Sequence, residues 1–155
     1  MLDKEVIEFL RRREFVSVAT CNLENQPNAA PKFFLKAEKG YVYLVDYTIG
    51  KTWHNIKINP RVSLSLMDTE KLLGYQINGS VEIIDKGAEL DKILKELEEK
   101  EIIFSAKRIS EGVVSGRKHA DFEVGIGEKF DILKIKVEEI SRIGLRGKIE
   151  KEKVC

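Results

Sequence analysis

The sequence predicts a mainly β protein, a small antiparallel barrel with helices against its openings. About six segments alternate apolar and polar residues with the period of a β-strand. Most connections between them are too short for the crossover that a parallel pair needs, so the pairing is largely antiparallel. Strands with one apolar and one mixed face require closure into a barrel or a packed partner, and two substantial helices are available to cover the ends.

The N-terminal part of the chain predicts a helix followed by three strands. Apolar residues at helical spacing indicate an amphipathic helix over residues 2–13. Alternating, β-branched residues indicate a strand over residues 15–20, and turn-forming residues follow it. Residues 29–37 are a second strand that pairs with the first as a hairpin. A short turn then leads into a third strand over residues 41–47.

The middle of the chain predicts a short helix and two more strands. The helix covers residues 51–59 and ends before Pro60. A strand over residues 61–67 places its apolar residues on one face, and a longer strand covers residues 75–85. Gly79, in the middle of that longer strand, indicates a bulge or the close approach of another group.

The C-terminal part predicts a second amphipathic helix over residues 87–100, which residues 102–106 can extend. Residues 111–129 contain four glycines and little periodicity, and they predict a long loop. The last long strand covers residues 130–143. The tail, about residues 147–155, is expected to be disordered.

Length and charge limit the class of protein. The 155 residues suit a single domain, residues 1–155, with a real hydrophobic core. The formal net charge of +1 gives no long-range attraction to nucleic acid or to an anionic membrane. No apolar run reaches the ~20 residues of a membrane span, and the charged N-terminus is unlike a secretory signal. The two distant cysteines form no disulfide framework, so we expect a cytoplasmic protein.

The most informative segment is the glycine turn that leads into the short helix. Backbone N–H groups at a helix start lack partners within the helix and bind anions. Gly50 lets the backbone approach an oxyanion, while Lys51 supplies a positive charge and Thr52 a hydroxyl. Asn55 lies one turn further along the same face. The alternative interpretation, in which Thr48 caps the helix and Lys51 is solvated, fits the same residues.

A second candidate site lies on the second strand. Phe33 and Phe34 would usually be core residues of a central strand. Lys32 and Lys36 share a face with Phe34 if the strand is regular. A flat aromatic ligand lying along the strand would contact its backbone and a phenyl edge. From the residues alone, a core strand with solvated lysines is the better interpretation.

Other kinds of site find little support in the sequence. His54 and His119 lie far apart, and no pattern of zinc ligands is present. No G-x-S-x-G motif indicates a serine hydrolase. Cys21 is better explained as a small hydrophobe than as a nucleophile. The basic cluster at residues 117–119 is typical of a solvated surface, with a lid over an anionic substrate as the alternative.

Three segments together resemble a known family: residues 19–34, 45–64 and 74–85. They resemble the pyridoxamine 5'-phosphate oxidase-like family of FMN-binding split barrels, most of all its small FMN-binding members. The resemblance is close over residues 5–85 and holds in outline beyond them. It implies a six-stranded antiparallel split β-barrel of Greek-key topology with helices at the barrel ends. It also implies a homodimer that binds FMN at its interface.

The resemblance further implies which residues bind FMN. The lysine–threonine pair after the glycine binds the phosphate in this family, and the second strand carries the ring and the ribityl chain. The end of the third strand forms another wall, and a glutamine of the fifth strand reaches the flavin or the other subunit. No metal ligand and no catalytic residue is implied. The implied cofactor-binding residues are Lys32, Phe33, Phe34, Val45, Asp46, Tyr47, Gly50, Lys51, Thr52, Asn55 and Gln76.

The implied function is that of an oxidoreductase that transfers hydride or electrons through FMN. In this interpretation Lys32 supplies positive charge near the ring, and residues 111–129 form a lid. The arginine-rich substrate motifs of true pyridoxamine phosphate oxidases are absent, so pyridoxine phosphate is not the expected substrate. One alternative is a non-catalytic carrier of FMN or of another flat cofactor, such as heme or deazaflavin. Another is a cofactor-free interaction module.

Overall fold

The computed structural model describes residues 2–115 and 130–154, and these residues contain seven strands, six of which bury apolar side chains. Residues 1–84 and 129–155 form one compact unit, and residues 85–128 form a second. The elements of the first unit are, in chain order, α1 (Lys4–Arg11), β1 (Phe15–Cys21), β2 (Pro27–Glu38), β3 (Tyr41–Asp46), α2 (Lys51–Ile58), β4 (Arg61–Asp68), β5 (Leu73–Ile84), β6 (Asp131–Ile143), a 3-10 turn (Leu145–Gly147) and β7 (Ile149–Lys153).

Strands β1 to β6 close into an antiparallel barrel. They are joined in the order β3-β2-β1-β4-β5-β6, and the pairing of β3 with β6 completes the ring. One edge of β6 pairs with β5, while the other edge pairs with β3 in its first half and with β7 in its second half. Closure satisfies the backbone hydrogen bonds that an open sheet would leave at its edges. The predicted mainly β, six-stranded antiparallel barrel is confirmed, with one strand added.

The interior of the barrel is filled by the inward-facing residues of each strand. On β1, for example, Val16 and Val18 are buried while Ser17 between them is exposed. The side chain of Asp3 accepts a hydrogen bond of 3.3 Å from the Glu5 N–H and so caps the start of α1. The apolar face of this helix joins the same core through Val6, Phe9 and Leu10.

Gly79 lies at an irregular point of the β5–β6 pair. The register shifts between Asn78 and Gly79, so β6 bulges there. A Cβ atom at Gly79 would lie 2.1 Å from the carbonyl oxygen of Lys136. No side chain fits at that distance unless β6 moves. Both features expected of this glycine, the bulge and a close approach, are confirmed.

The C-terminal tail pairs with β6, and the prediction of disorder over residues 147–155 was wrong for residues 149–154. Residues Ile149–Lys153 form β7, which pairs with β6 from Ile143↔Ile149 to Glu139↔Lys153. The N–H of Val154 adds a 2.9 Å hydrogen bond to the carbonyl of Glu138. The side chains of β7 are all exposed, so it lacks the alternation that identifies a strand in sequence. Backbone hydrogen bonds to the part of β6 that β3 does not reach hold it in place.

The second unit contains the helix α3, Ala88–Ser115, which is 28 residues long. The predicted helix over residues 87–100 is confirmed and extends through residues 102–106 to Ser115, so the prediction of a loop was wrong for residues 111–115. Helix-forming Glu, Lys, Arg and Ala occur throughout this extension, and its glycine does not end the helix. The rest of the predicted lid and the basic cluster at 117–119 lie outside the described residues. None of the described helices is both long and apolar enough to cross a membrane.

The close approach at Gly79 predicts a marked loss of stability in Gly79→Ala. The added methyl group would collide with the β6 backbone, and we expect the free energy of unfolding to fall by about 2–3 kcal/mol. Urea denaturation followed by circular dichroism measures this change. The control is Glu82→Ala on the exposed side of the same strand, which should change stability by less than about 0.5 kcal/mol. Equal stability of the two variants would contradict the observed contact.

Candidate functional site

The turn between β3 and α2 presents an uncapped helix start at one end of the barrel. The N-cap residue of α2 is Gly50, and no side chain makes a capping hydrogen bond there. The first helical bond runs from the His54 N–H to the Gly50 carbonyl at 3.1 Å, so the amides of the first turn have no partner within the helix. Such amides favour an anion. The alternative in which Thr48 caps this helix was wrong.

Lys51 and its neighbours on α2 face different surroundings. The side chain of Lys51 is exposed at the start of the helix, whereas Thr52 and Asn55 are buried. The Thr52 hydroxyl accepts a 3.0 Å hydrogen bond from the side-chain amide of Asn28, which leaves its own O–H as a donor. Asn55 donates to the Thr20 hydroxyl at 3.0 Å. These buried bonds fix α2 on β1 and β2 and leave Lys51 at the surface.

A third polar bond holds the other end of α2. The side-chain amide of Asn59 donates to the carbonyl of Cys21 at 3.0 Å. The sequence analysis missed Thr20, Asn28 and Asn59 as anchors of this helix. Thr20 and Asn28 are polar residues near the ends of β1 and β2, and Asn59 caps the C-terminus of α2, but their hydrogen-bond partners depend on how α2 packs against those strands.

A buried ion pair lies beside this turn. Phe33 pairs with Val45 across β2 and β3, so Lys32 in the middle of β2 lies next to Asp46 at the end of β3. The Lys32 ammonium lies 2.6 Å from Asp46 Oδ1, and the two side chains are only 3% and 0% exposed. The Thr48 N–H donates to the same oxygen at 3.0 Å. Lys32 is therefore neither solvated nor free to face a ring.

The remaining bonding of this pair is uneven. The Thr48 hydroxyl lies 3.3 Å both from the Lys32 ammonium and from Asp46 Oδ1. Asp46 Oδ2 is buried and accepts no hydrogen bond from any described residue. Removing one partner of such a pair leaves an uncompensated buried charge and is strongly destabilising. The negative charge of Asp46 is therefore stabilised by the donors at Oδ1, which are Lys32 and Thr48.

The aromatic residues of β2 lie on opposite sides of the sheet. Phe34 is fully buried in the barrel core. Phe33 belongs to the outer face, where its ring makes edge contacts with Phe15 at 5.9 Å and Tyr47 at 6.1 Å. The register of β2 and β3 shifts between Phe34 and Lys36, and the Lys36 ammonium lies over the Tyr43 ring at 4.9 Å. The expectation that Lys36 shares a face with Phe34 was therefore wrong.

Val45 and Gln76, two further predicted cofactor-binding residues, lie in different places. Val45 is fully buried and, like Phe33 opposite it, does not belong to the core cluster inside the barrel. Gln76 is exposed on β5, where its side-chain amide donates to the Ser63 hydroxyl at 3.3 Å. Strands β4 and β1 lie between β5 and β2. One chain therefore joins the residues around the turn into a single site and leaves Gln76 outside it.

The main cleft among the described residues does not lie at the turn between β3 and α2. A surface cleft of about 570 Å³ lies elsewhere, between the β4–β5 turn and the β6–β7 connection. Its charged groups largely pair with each other, as in Arg142 with Glu5 at 3.3 Å and Lys148 with Glu150 at 2.8 Å. The uncapped helix start is the better candidate for an anion site, because no side chain caps its first-turn amides. Within residues 2–115 and 130–154, no three His, Cys, Asp or Glu side chains are grouped so as to hold a metal ion.

Solved structures share this fold at low sequence identity. A pyridoxamine 5'-phosphate oxidase-related, FMN-binding protein from Nostoc punctiforme superposes with a TM-score of 0.61 at 12% identity, over 97% of this chain and 93% of that one. A heme binding protein from Mycobacterium smegmatis gives a TM-score of 0.62 at 14% identity, over 99% of this chain and 59% of that one. At such identities the likeness concerns the fold alone.

Sequence comparison gives a narrower result. A protein of unknown function from Methanocaldococcus jannaschii is 35% identical over 103 residues, which cover 61% of this chain and 68% of the relative. The family model described as pyridoxamine 5'-phosphate oxidase matches residues 2–143. This match spans the barrel from α1 to the end of β6. The chain belongs to the pyridoxamine 5'-phosphate oxidase family.

Proposed function

We propose that the protein binds FMN, with the phosphate at the start of α2, and transfers hydride or electrons through it. The observation that carries the proposal is the uncapped helix start next to an exposed Lys51. A cation at the positive end of a helix is unfavourable unless an anion lies between them. A phosphate would accept hydrogen bonds from the first-turn amides and neutralise the ammonium.

The aromatic residues on the outer face support a flat ring close to this anion. Phe15 is 52% exposed and contacts the edge of Phe33, which in turn contacts Tyr47. Tyr47 belongs to the turn that leads to Gly50, so the ring surface and the phosphate turn are continuous along the chain. The residues of this chain would bind and orient the cofactor, and FMN would supply the redox chemistry. Because Asp46 neutralises Lys32, we no longer assign to Lys32 a free positive charge beside the ring.

A homodimer is part of the proposal, and the outer face of β1, β4 and β5 is its proposed interface. Ser17 pairs with Ser65, and Ser65 with Gln76, so these three exposed polar side chains lie side by side on this face. Phe15 and Met67, which are 52% and 53% exposed, add apolar surface at one end of it. Exposed apolar surface of this kind is typical of protein interfaces. A second copy seated here would bring its own Gln76 toward the cofactor.

A second candidate is a carrier of heme. The fold that this chain shares with the heme binding protein of Mycobacterium smegmatis favours it. Heme also presents a flat ring and anionic groups, and the exposed His54 on α2 is the residue that would coordinate its iron. The absorption spectrum of the purified protein decides between the two. A flavin spectrum that NADH or NADPH bleaches supports an oxidoreductase, a flavin that stays oxidised supports a carrier, and a Soret band lost in His54→Ala supports heme.

The phosphate assignment predicts that Lys51→Ala weakens FMN binding by about 1.5–3 kcal/mol, the range for a hydrogen bond to a charged group. Riboflavin, which lacks the phosphate, should bind to wild type and variant alike. Quenching of flavin fluorescence measures both dissociation constants. Lys57→Ala, on the last turn of the same helix, is the matched control and should bind FMN like wild type. An unchanged FMN affinity in Lys51→Ala would remove this residue from the site.

The proposed interface predicts that Ser65→Arg separates the dimer. The residue is exposed at the centre of the proposed interface, so the long charged side chain should block association without disturbing the core. Light scattering coupled to size exclusion should give a dimer for wild type and a monomer for the variant at micromolar concentration. The control Glu82→Arg, exposed toward the far end of β5, should remain dimeric. A monomeric wild type, or a dimeric Ser65→Arg with unchanged affinity, argues against this interface.

A further inference from the structure

We infer that Asp46 is a positioning residue, whose buried carboxylate holds the turn of residues 47–50 in the conformation that grips the phosphate. The inference rests on the proposed function and adds a role that the resemblance does not give. The resemblance makes Asp46 a wall of the flavin site, in contact with the cofactor. The structure instead shows a fully buried side chain that is directed to Lys32 and to the backbone of Thr48.

Three hydrogen bonds meet at Asp46 Oδ1. This one oxygen accepts from the Lys32 ammonium at 2.6 Å, from the Thr48 N–H at 3.0 Å and from the Thr48 hydroxyl at 3.3 Å. It therefore ties the end of β3 to β2 and to the second residue of the turn. Tyr47 packs against Phe33, but Thr48 and Ile49 have exposed side chains, so packing contributes little to fixing these two residues of the turn.

Helix α2, which follows the turn, is already fixed on the barrel by its own hydrogen bonds. Thr52, Asn55 and Asn59 hold α2 on the ends of β1 and β2. The helix start can keep its direction only if the chain also leaves β3 at a fixed point. The hydrogen bond from the Thr48 N–H to Asp46 supplies that point. Loss of the acceptor would free the turn while leaving the helix attached.

The Asp46 carboxylate can lie close to the proposed phosphate site because Lys32 compensates its charge. A free negative charge near the helix start would repel the anion that the site is proposed to bind. Lys32, itself 3% exposed, compensates the charge of Asp46 at the shortest of the three contacts. The pair carries no net charge while Asp46 still holds the Thr48 N–H, and Lys51 attracts the phosphate.

The test compares two substitutions of Asp46 with two ligands. Asp46→Asn keeps an oxygen that can accept from the Thr48 N–H, whereas Asp46→Ala removes it. We expect Asp46→Ala to weaken FMN binding at least tenfold, equivalent to about 1.4 kcal/mol. Binding of riboflavin should change less than twofold, because the turn is proposed to hold only the phosphate. Asp46→Asn should lose less than threefold in FMN affinity.

A matched control removes a similar carboxylate from a different turn. Asp68 Oδ1 accepts 3.1 Å hydrogen bonds from the backbone N–H groups of Glu70 and Lys71 in the β4–β5 connection. Asp68→Ala should alter stability without changing the ratio of FMN to riboflavin affinity. A merely structural role of Asp46 would act in the same way as this control.

Asp46→Asn and Asp46→Ala both leave the buried Lys32 ammonium without a counter-charge, so a second pair of variants keeps the test decisive if either does not fold. Replacing both partners of a buried ion pair by neutral side chains is often tolerated. Lys32→Met/Asp46→Asn and Lys32→Met/Asp46→Leu both lack the two charges, and only the first retains an acceptor for the Thr48 N–H. We expect the second to bind FMN about tenfold more weakly than the first, with equal riboflavin binding.

The outcomes separate this inference from the proposed function. If wild type does not bind FMN more tightly than riboflavin, the proposed phosphate site is wrong and the inference falls with it. If wild type shows that preference and Asp46→Ala or Lys32→Met/Asp46→Leu retains it, Asp46 does not position the turn and the proposed function stands. Equal losses of FMN and riboflavin affinity would likewise overturn the positioning role.

Discussion

The pairing of β3 with β6 is the constraint on which the rest of the structure depends. It joins the third strand to a segment almost ninety residues later and runs to the last residue of β3, where Asp46 lies opposite Asp131. Because β2 holds the other edge, β3 ends at a fixed place on the rim of the barrel. The chain must leave the sheet there, and the four residues that follow bring the start of α2 to the same rim. The candidate site is thus a consequence of closing the barrel.

Burial gives the two lysines of this region opposite roles. Lys32 is enclosed by the barrel and has its charge compensated at 2.6 Å, because a buried ammonium without a partner would cost several kcal/mol. Lys51 is exposed to water at the helix start, so its side chain is accessible to a ligand. Only the second is suited to attract a ligand from solution. A sequence that contains both lysines does not show this difference, because it arises from the register of β2 against β3.

Periodicity predicted most of the fold, and tertiary contacts decide the parts it missed. The strands and α2 were predicted within about two residues at most ends, since the alternation of buried and exposed residues follows directly from the barrel. The shift in register after Phe34, which moves Lys36 to the outer face, has no local signal of that kind. Strand β7 is held through its backbone and carries only exposed side chains. The helix start was recognised from Gly50 to Thr52, but the engagement of Thr52 by Asn28 required coordinates.

The distribution of the predicted residues bears on why association would matter to the site. A cofactor pocket usually encloses most of its ligand. On one chain, the phosphate turn and Phe15 are exposed while the neighbouring Phe33 is buried, and two strands separate Gln76 on β5 from β2. A flavin held only by these surfaces would leave much of its ring in water. Under the proposed function, a second copy on the outer face of β1, β4 and β5 would cover the ring and contribute the missing polar contact. Cofactor affinity and dimerisation would then be linked, since each would stabilise the other.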